Sequence, residues 1–203
     1  LRLLPPLDRH QRILDIGCGS GAQTIDLAML TDAQIVAVDN HPPFINQLAE
    51  RVSSSRLEAK VTAMVGDMND LQFAEDSFDV IWSEGAIFII GFSEGLGRWR
   101  RLLSPEGYLV VSEFCWFDDD PAPELREMLA DGAPDVGNVE DRRRSIEQNG
   151  YRLLDEFVLP SVGWWDNYYV PLAQTIGRFR ESHAGNPDAL AVAERSQREI
   201  DLY

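Results

Sequence analysis

Three glycines at alternate positions, Gly17, Gly19 and Gly21, and two acids further on, Asp39 and Asp67, carry the chemistry most plainly written in this chain. The glycines close the apolar run Ile13-Leu14-Asp15-Ile16. A loop of this kind presents bare backbone, so a ligand can approach it without meeting a Cβ. The helical pattern that follows, with Ile25, Leu27, Ala28 and Leu30, then points its free N–H groups at whatever lies over the loop. Gly17-Cys18-Gly19-Ser20-Gly21-Ala22 also satisfies the Gly-x-Gly-x-x-Gly/Ala fingerprint of dinucleotide binders, so the loop alone says nucleoside cofactor and goes no further. Asp39 ends a second apolar run, residues 34–38, eighteen residues beyond Gly21. An acid there can accept both ribose hydroxyls of an adenosine. Asp67, in Gly66-Asp67-Met68, follows a third apolar run at 61–65. A carboxylate at that point can accept from an adenine amino group while the next backbone N–H donates to a ring nitrogen.

Strand and helix patterns alternate along the chain, the signature of an α/β, doubly wound, mostly parallel sheet covered on both faces. A helix is expected over 42–53, with Phe44, Ile45, Leu48 and Val52 on one face and Pro42-Pro43 in its first turn, where a missing N–H costs nothing. A fourth strand at 78–82 leads into Ser83-Glu84-Gly85-Ala86. Leu96, Trp99, Leu102 and Leu103 mark a helix face, after which Gly107 opens a fifth strand running through Ser112. A helix near 138–149 and a sixth apolar strand at 151–159 follow, then helical patterns at about 167–183 and 187–201. The stretch 117–141 interrupts the alternation with nine acids against one base, Arg126, and a short helix at 121–130. One domain over 1–203 is expected, with its core at about 10–160 and a helical C-terminal segment at 164–203.

The ordered set Asp15-Ile-Gly-Cys-Gly-Ser-Gly21, Val38-Asp39, Gly66-Asp67-Met68 and Phe78-Asp79-Val80-Ile81-Trp82 resembles a class I S-adenosylmethionine-dependent methyltransferase. It is similar to the small-molecule branch that includes the ubiquinone/menaquinone-type enzymes, as is the run Leu102-Leu103-Ser104-Pro105-Glu106-Gly107-Tyr108-Leu109. The resemblance implies a Rossmann-like fold, S-adenosyl-L-methionine as cofactor and S-adenosyl-L-homocysteine as product. It implies that Asp15 and the loop residues Gly17, Cys18, Gly19 and Gly21 hold the amino-acid tail. Asp39 and Asn40 would then face the ribose and Asp67 and Met68 the adenine, with Ser83 completing the set. Segments at the position of 117–141 often form part of a substrate lid in this family, while the composition alone fits a solvated surface excursion equally. The family fold normally adds a seventh, antiparallel strand and capping helices before the first strand, so the chain is expected to lack parts of both natural ends.

Methyl transfer from a sulfonium is an in-line displacement whose main demand is alignment of the nucleophile with the methyl carbon. Where the acceptor carries a proton, a group must remove it. Glu84 and Glu113, at the ends of the fourth and fifth strands, are the candidates, with His41 the third choice; each also fits a structural role. Trp116 after the fifth strand, and Trp164 and Trp165 after the sixth, are assigned to a substrate pocket, where rings exclude water or face a cation. Tyr168 or Tyr169 with Leu172, Ile176 and Phe179 fits a core-facing helix stripe instead. The acids do not sort into a metal-binding set, so no metal is expected.

Composition narrows the partners. The net charge of −16, from 34 acids and 18 bases, argues against nucleic acid, whose phosphates need a basic face. The run Arg142-Arg143-Arg144 reads as a solvated helix face. Two cysteines, Cys18 and Cys115, make no disulfide framework and fit a reducing compartment. With no long apolar stretch and no signal peptide, the chain reads as soluble and cytoplasmic, with a small-molecule partner and no membrane partner. A nicotinamide- or flavin-dependent oxidoreductase would need a second mononucleotide-binding half, which the acidic, helical sequence after Glu113 does not provide. A non-catalytic cofactor-binding module on the same scaffold is the third reading.

Overall fold

Five short β-branched and aliphatic runs pair side by side because each is apolar enough to be covered on both faces. The computed structural model describes residues 1–118, 120–130, 132–133 and 135–202; Asp119 and Asp131 of the acidic stretch lie outside them. In chain order the elements are β1 (Arg12–Ile16), α1 (Ala22–Leu30), β2 (Gln34–Asp39), α2 (Pro42–Ser54), β3 (Val61–Val65), β4 (Phe78–Ser83), a 3₁₀ turn (Ile87–Ile89), α3 (Phe92–Arg100) and β5 (Leu103–Val111). There follow β6 (Cys115–Trp116), α4 (Pro123–Ala130), β7 (Gly137–Asn138), α5 (Val139–Gln148), α6 (Ser161–Trp164), a π-helical turn (Trp165–Tyr169), α7 (Val170–Ser182) and α8 (Pro187–Leu202). The main sheet has the order β3-β2-β1-β4-β5 and every pairing in it is parallel. The order in which strands are added therefore switches from one side of β1 to the other at β4, which opens a crevice at the C-terminal ends of β1 and β4, where ligands of open α/β sheets bind.

The period of two along each strand sorts the core. Ile13, Ile35, Val61 and Val80 pack with Leu27 and Ala28 of α1 and Leu48 and Val52 of α2. Leu14, Ile16, Val38 and Ile81 pack on the other face with Phe92, Leu96 and Trp99 of α3. This is the Rossmann-like, doubly wound arrangement expected.

The chain divides into two compact units, Leu1–Asp119 with Ala133–Leu153, and Asp120–Gly132 with Leu154–Tyr203. The first holds the sheet. In the second, α7 packs on α8, and Arg198 of α8 pairs with Glu127 of α4 at 3.1 Å. Tyr169 and Ile176 are its buried anchors, whereas Tyr168 is exposed, so Tyr169 belongs to the stripe.

Several expectations need correction. Residues 151–159 form no strand; they carry no ladder among the described residues, and Leu154, Phe157, Val158 and Leu159 are exposed. Apolar, β-prone sequence supplies side chains but not the neighbouring backbone groups a strand must pair with. The helix expected from about 167 begins at Ser161 and passes through the π turn. Phe44 and Leu30 lie exposed, off the buried faces of α2 and α1. β5 begins at Leu103 rather than Gly107, with a register irregularity absorbing the intervening turn. Cys115 lies in β6 and not in a loop.

Candidate functional site

Everything at the C-terminal edge of the sheet is organised around the loop between β1 and α1. The Gly17 and Cys18 N–H groups both donate to the Val38 carbonyl, at 2.8 and 3.1 Å, so the loop is tied to the end of β2. Gly17, Gly19 and Gly21 all have positive φ, at 72°, 54° and 86°. Their surroundings differ. A Cβ on Gly17 would sit 2.4 Å from the Ala86 Cβ, and one on Gly21 would sit 2.2 Å from Leu48 Cδ1, whereas one on Gly19 would meet nothing within 4 Å. Gly17 and Gly21 are thus demanded by packing, and only Gly19 faces open space where a ligand can lie. The N-cap of α1 is Gly21, and no side chain caps that helix. The first-turn donors are accordingly left for a ligand or water.

Asp39 organises the loop as well as facing the crevice. Its Oδ2 accepts from Gly19 N–H at 2.9 Å and its Oδ1 from His41 N–H at 2.8 Å. Each oxygen retains a lone pair for a hydroxyl. Asn40 and His41 are exposed, with the His41 ring edge-on to Phe44 at 4.6 Å. Asp67 is exposed, and hydrogen bonds from the Asn69 backbone and side chain hold its carboxyl below the usual range. Met68 reaches back to within 3.5 Å of where a Gly17 Cβ would be, while its carbonyl accepts from Trp99 Nε1 at 3.1 Å.

Asp15 lies fully buried beneath the loop. Thr24 Oγ1 donates to its Oδ2 at 2.6 Å and Gln23 Nε2 approaches its Oδ1 at 3.5 Å. Burial pushes its carboxyl up to about 7 against these two hydrogen bonds, and the charges of Glu84 and Asp39 push the same way. Glu84 and Asp39 thus both act on the buried Asp15 beneath the loop. Burial also raises the Cys18 thiol, which is closed off in the core. Ser83 is buried, its hydroxyl donating to the Ile16 carbonyl at 2.9 Å, which ties β4 to β1. Glu84 is exposed and accepts from Trp82 Nε1 at 2.7 Å.

Glu113 stands two residues past β5, and Ser112 joins the β4 end through its N–H to the Ser83 carbonyl (3.0 Å) and its hydroxyl from Gly85 N–H (2.8 Å). The Glu113 side chain is only 7% exposed and its Oε1 lies 3.5 Å from Arg142 Nη2. Burial lifts its carboxyl to about 7 although Arg142 pulls it down. Arg142 is no solvated helix residue: it is 6% exposed, the reverse of what the three-arginine run suggested. An open cleft of about 500 Å³ nearby is lined by Phe88, Ile89, Ile90, Gly91, Glu94 and Asp135, among others. Its lining begins at Phe88, two residues after Ala86, the residue against Gly17, and Phe88 packs edge-on to Phe114 at 5.0 Å. Trp116 is half-buried in β6. Trp164 and Trp165 lie in the second unit, where they cluster with Tyr168 and Tyr169. Among the described residues no group of three or more His, Cys, Asp or Glu is placed to hold a metal ion.

Sequence reasoning overlooked Thr24 and Gln23, in the first turn of α1 and aimed back at Asp15, and Ala86, whose small side chain lets Gly17 approach. Nothing local announces Arg142, because its partners lie on other elements.

A sheet edge and glycine loop of this build have known relatives. The methyltransferase-domain family model matches residues 7–172, and the chain belongs to that family. Sterol 24-C-methyltransferase of Kluyveromyces lactis is 27% identical over 198 residues, covering 88% of this chain and 53% of that protein. The chain spans about half the length of the curated relatives it matches. A Geobacter sulfurreducens S-adenosylmethionine-dependent methyltransferase, solved with S-adenosyl-L-homocysteine, superposes with a TM-score of 0.80 at 23% identity, over 98% of this chain and 79% of that one. The [4+2]-cyclase SpnF superposes at 0.73 with 20% identity, over 97% and 70% of the two chains. The fold is thus that of class I methyltransferases, and the cofactor of the family is S-adenosylmethionine. Similar architecture under a cyclase's name shows that fold alone does not set the reaction.

Proposed function

We propose that this chain transfers a methyl group from S-adenosylmethionine to a small-molecule acceptor. The observation that carries the reading is the uncapped glycine loop with one open position at Gly19, edged by Asp39, with Asp15 buried beneath it under the charges of Glu84 and Asp39. A cationic ligand is favoured by that field and a pyrophosphate is opposed by it. Bound there, the cofactor supplies an activated methyl group. Asp39 would accept the ribose hydroxyls, Asp67 and Met68 would flank the adenine, and the loop with Asp15 beneath it would hold the amino-acid tail. Asn40, His41 and Ser83 support these positions. Glu113, with Glu84 as the weaker candidate, would take up the acceptor's proton.

The cleft wall of Phe88, Ile89 and Ile90, with Trp116 beyond β5, suits an apolar acceptor. The sterol C-methyltransferase relative supports the same class of substrate. Trp164 and Trp165 remain candidate substrate contacts, and the whole chain is read as one methyltransferase domain, a reading that the family match over residues 7–172 supports. The net charge of −16 argues for action without nucleic acid. No described helix is long and apolar enough to cross a membrane, and a chain with only two cysteines, which make no disulfide framework, fits a place in the cytoplasm.

Titration calorimetry with S-adenosylhomocysteine and, separately, NAD tests the cofactor; heat with NAD alone ends the reading. Methyl-labelled S-adenosylmethionine offered with sterols and other apolar alkenes, amines, alcohols and thiols then tests the transfer. Tight binding with no labelled product in any class returns the protein to a non-catalytic module.

A further inference from the structure

We infer that Arg142 is a positioning residue: it holds Glu113 at the C-terminal edge of the sheet so that one carboxylate oxygen stays free to take the proton the acceptor loses on methylation. The inference rests on the methyl-transfer reading above and adds to it a residue that reading does not use.

The guanidinium of Arg142 is clamped from several sides. Its Cζ lies 5.1 Å from the centre of the Phe92 ring at the start of α3, and a Cβ on Gly137 would stand 3.5 Å from the same atom. It is thus flanked by a ring and by a residue with no side chain. Nη2 donates to the Asp135 carbonyl and lies 3.5 Å from Glu113 Oε1, and Nη1 lies 3.5 Å from Asp135 Oδ2. Side-chain exposure is 8% for Arg142 and 7% for Glu113, against 64% for Asp135. A buried charge pair of this kind adds little to stability by itself, because desolvation consumes most of the attraction. Its use lies in fixing geometry.

The second observation is what the clamp leaves over. Glu113 Oε2 is buried and has no hydrogen-bond partner among the described residues, and neither has Arg142 Nε, so the two side chains meet through Oε1 and Nη2 and not as a two-bond fork. An unsatisfied buried carboxylate oxygen is costly and uncommon, and it asks for a partner supplied from outside the fold. Glu113 belongs to the same sheet edge as Asp15, Asp39 and the glycine loop, next to Phe114, whose ring packs on Phe88 of the cleft wall. Asp135, the other anion on Arg142, lines that cleft.

The step balances without any further reactant. The acceptor's electron pair forms the bond to the methyl carbon, the carbon–sulfur bond breaks, and its pair stays on sulfur as a neutral thioether. The positive charge passes to the acceptor, which then gives a proton to Glu113 Oε2. The charged groups facing Glu113 are Arg142 on α5 and Asp135 before β7, of opposite effect.

The test uses the full chain saturated with S-adenosylhomocysteine, and follows the Glu113 side-chain carbon by NMR against pH, assigned by its loss in Glu113→Gln. The same variants are assayed for turnover on whichever acceptor the labelled panel identifies. Arg142→Met should move the Glu113 titration upward by at least one pH unit and shift the acidic limb of kcat with it, leaving the KM for S-adenosylmethionine within twofold. Arg142→Lys, which keeps the charge, should restore most of both. If Arg142→Met does not fold, Arg142→Gln, which removes the charge but keeps a polar side chain, carries the test. An unmoved titration or an unmoved kcat limb in a folded Arg142→Met or Arg142→Gln variant that binds S-adenosylhomocysteine overturns the inference alone. Wild-type protein that fails to bind S-adenosylhomocysteine, or methylates nothing, overturns the proposed function and this inference with it.

Discussion

Replacing Asp15 with Asn should flatten the dependence of stability on pH. The wild-type carboxyl is fully buried, accepts from Thr24 at 2.6 Å, and is pushed from 3.8 up to about 7, chiefly by burial. A folded pKa above the unfolded one means the folded state holds the proton more tightly. The stabilising contribution is therefore complete below about pH 3.8 and disappears as pH rises to about 7. At roughly 1.4 kcal/mol per unit, a shift of about three units is worth about 4 kcal/mol. That is a large part of the 5–15 kcal/mol by which domains of ordinary size are stable.

The Asn side chain has nearly the same shape and can still accept from Thr24, but it does not titrate. Its amide protons replace the acid proton as donors, so the variant should be somewhat less stable than wild type near pH 4, by about 1–3 kcal/mol if one donor goes unpaired. It should equal or exceed wild type near pH 8. Urea unfolding at pH 4, 5.5, 7 and 8.5, taken as the difference between the two proteins, removes every other titrating group, including Glu113, which slopes the same way. Parallel stability curves, agreeing within about 1 kcal/mol after a constant offset, would refute the placement of a carboxyl with a raised pKa under this loop.

The three glycines should separate by assay. Gly17→Ala and Gly21→Ala each add overpacking and left-handed strain, together about 2–5 kcal/mol, and should show as lost thermal stability in the ligand-free protein. Gly19→Ala, with open space around its Cβ, should cost only about 1–2 kcal/mol in stability and more than tenfold in S-adenosylhomocysteine affinity by calorimetry; a Gly17→Ala protein as stable as wild type would count against the observed contact with Ala86. Asp39→Ala should weaken S-adenosylhomocysteine binding by roughly 2–4 kcal/mol, because it removes charge-assisted hydrogen bonds to ribose and releases the Gly19 N–H. Unchanged affinity in that variant would take Asp39 out of the site.

What could be read beforehand is what local sequence dictates. The strands of the sheet, the glycine loop, and the acids at the ends of β2 and β3 follow from period-two runs and from turn chemistry, and each was placed within a few residues. The expected sixth strand failed because pairing is a property of two chains side by side, and residues 151–159 contain only one of them. Arg142 was misread for the same reason. In a run of three arginines nothing distinguishes the one whose partners are Glu113, Asp135 and Phe92, distant by 29, 7 and 50 positions. Arg143 and Arg144, which pair with Glu140 and Asp141 on their own helix, behave as the run suggested.

The loop motif itself identifies less than it seems to promise. Two of its three glycines are explained without a ligand, by Ala86 and Leu48, so the same spelling would be needed in any sheet that brought a strand end and a helix this close. On the proposed reading, discrimination between a dinucleotide and an adenosyl sulfonium comes instead from charge. A pyrophosphate brings two negative charges to a loop edged by Asp39 and near Glu84, above a buried Asp15, whereas an adenosyl sulfonium, with the ammonium and carboxylate of its tail, carries a net positive one. At an effective dielectric near 20, each unit charge about 6 Å from an ionised carboxylate interacts by about 3 kcal/mol, attractive in one case and repulsive in the other. On that reading the sign of the field, more than the glycine spacing, selects the nucleoside held at this sheet edge.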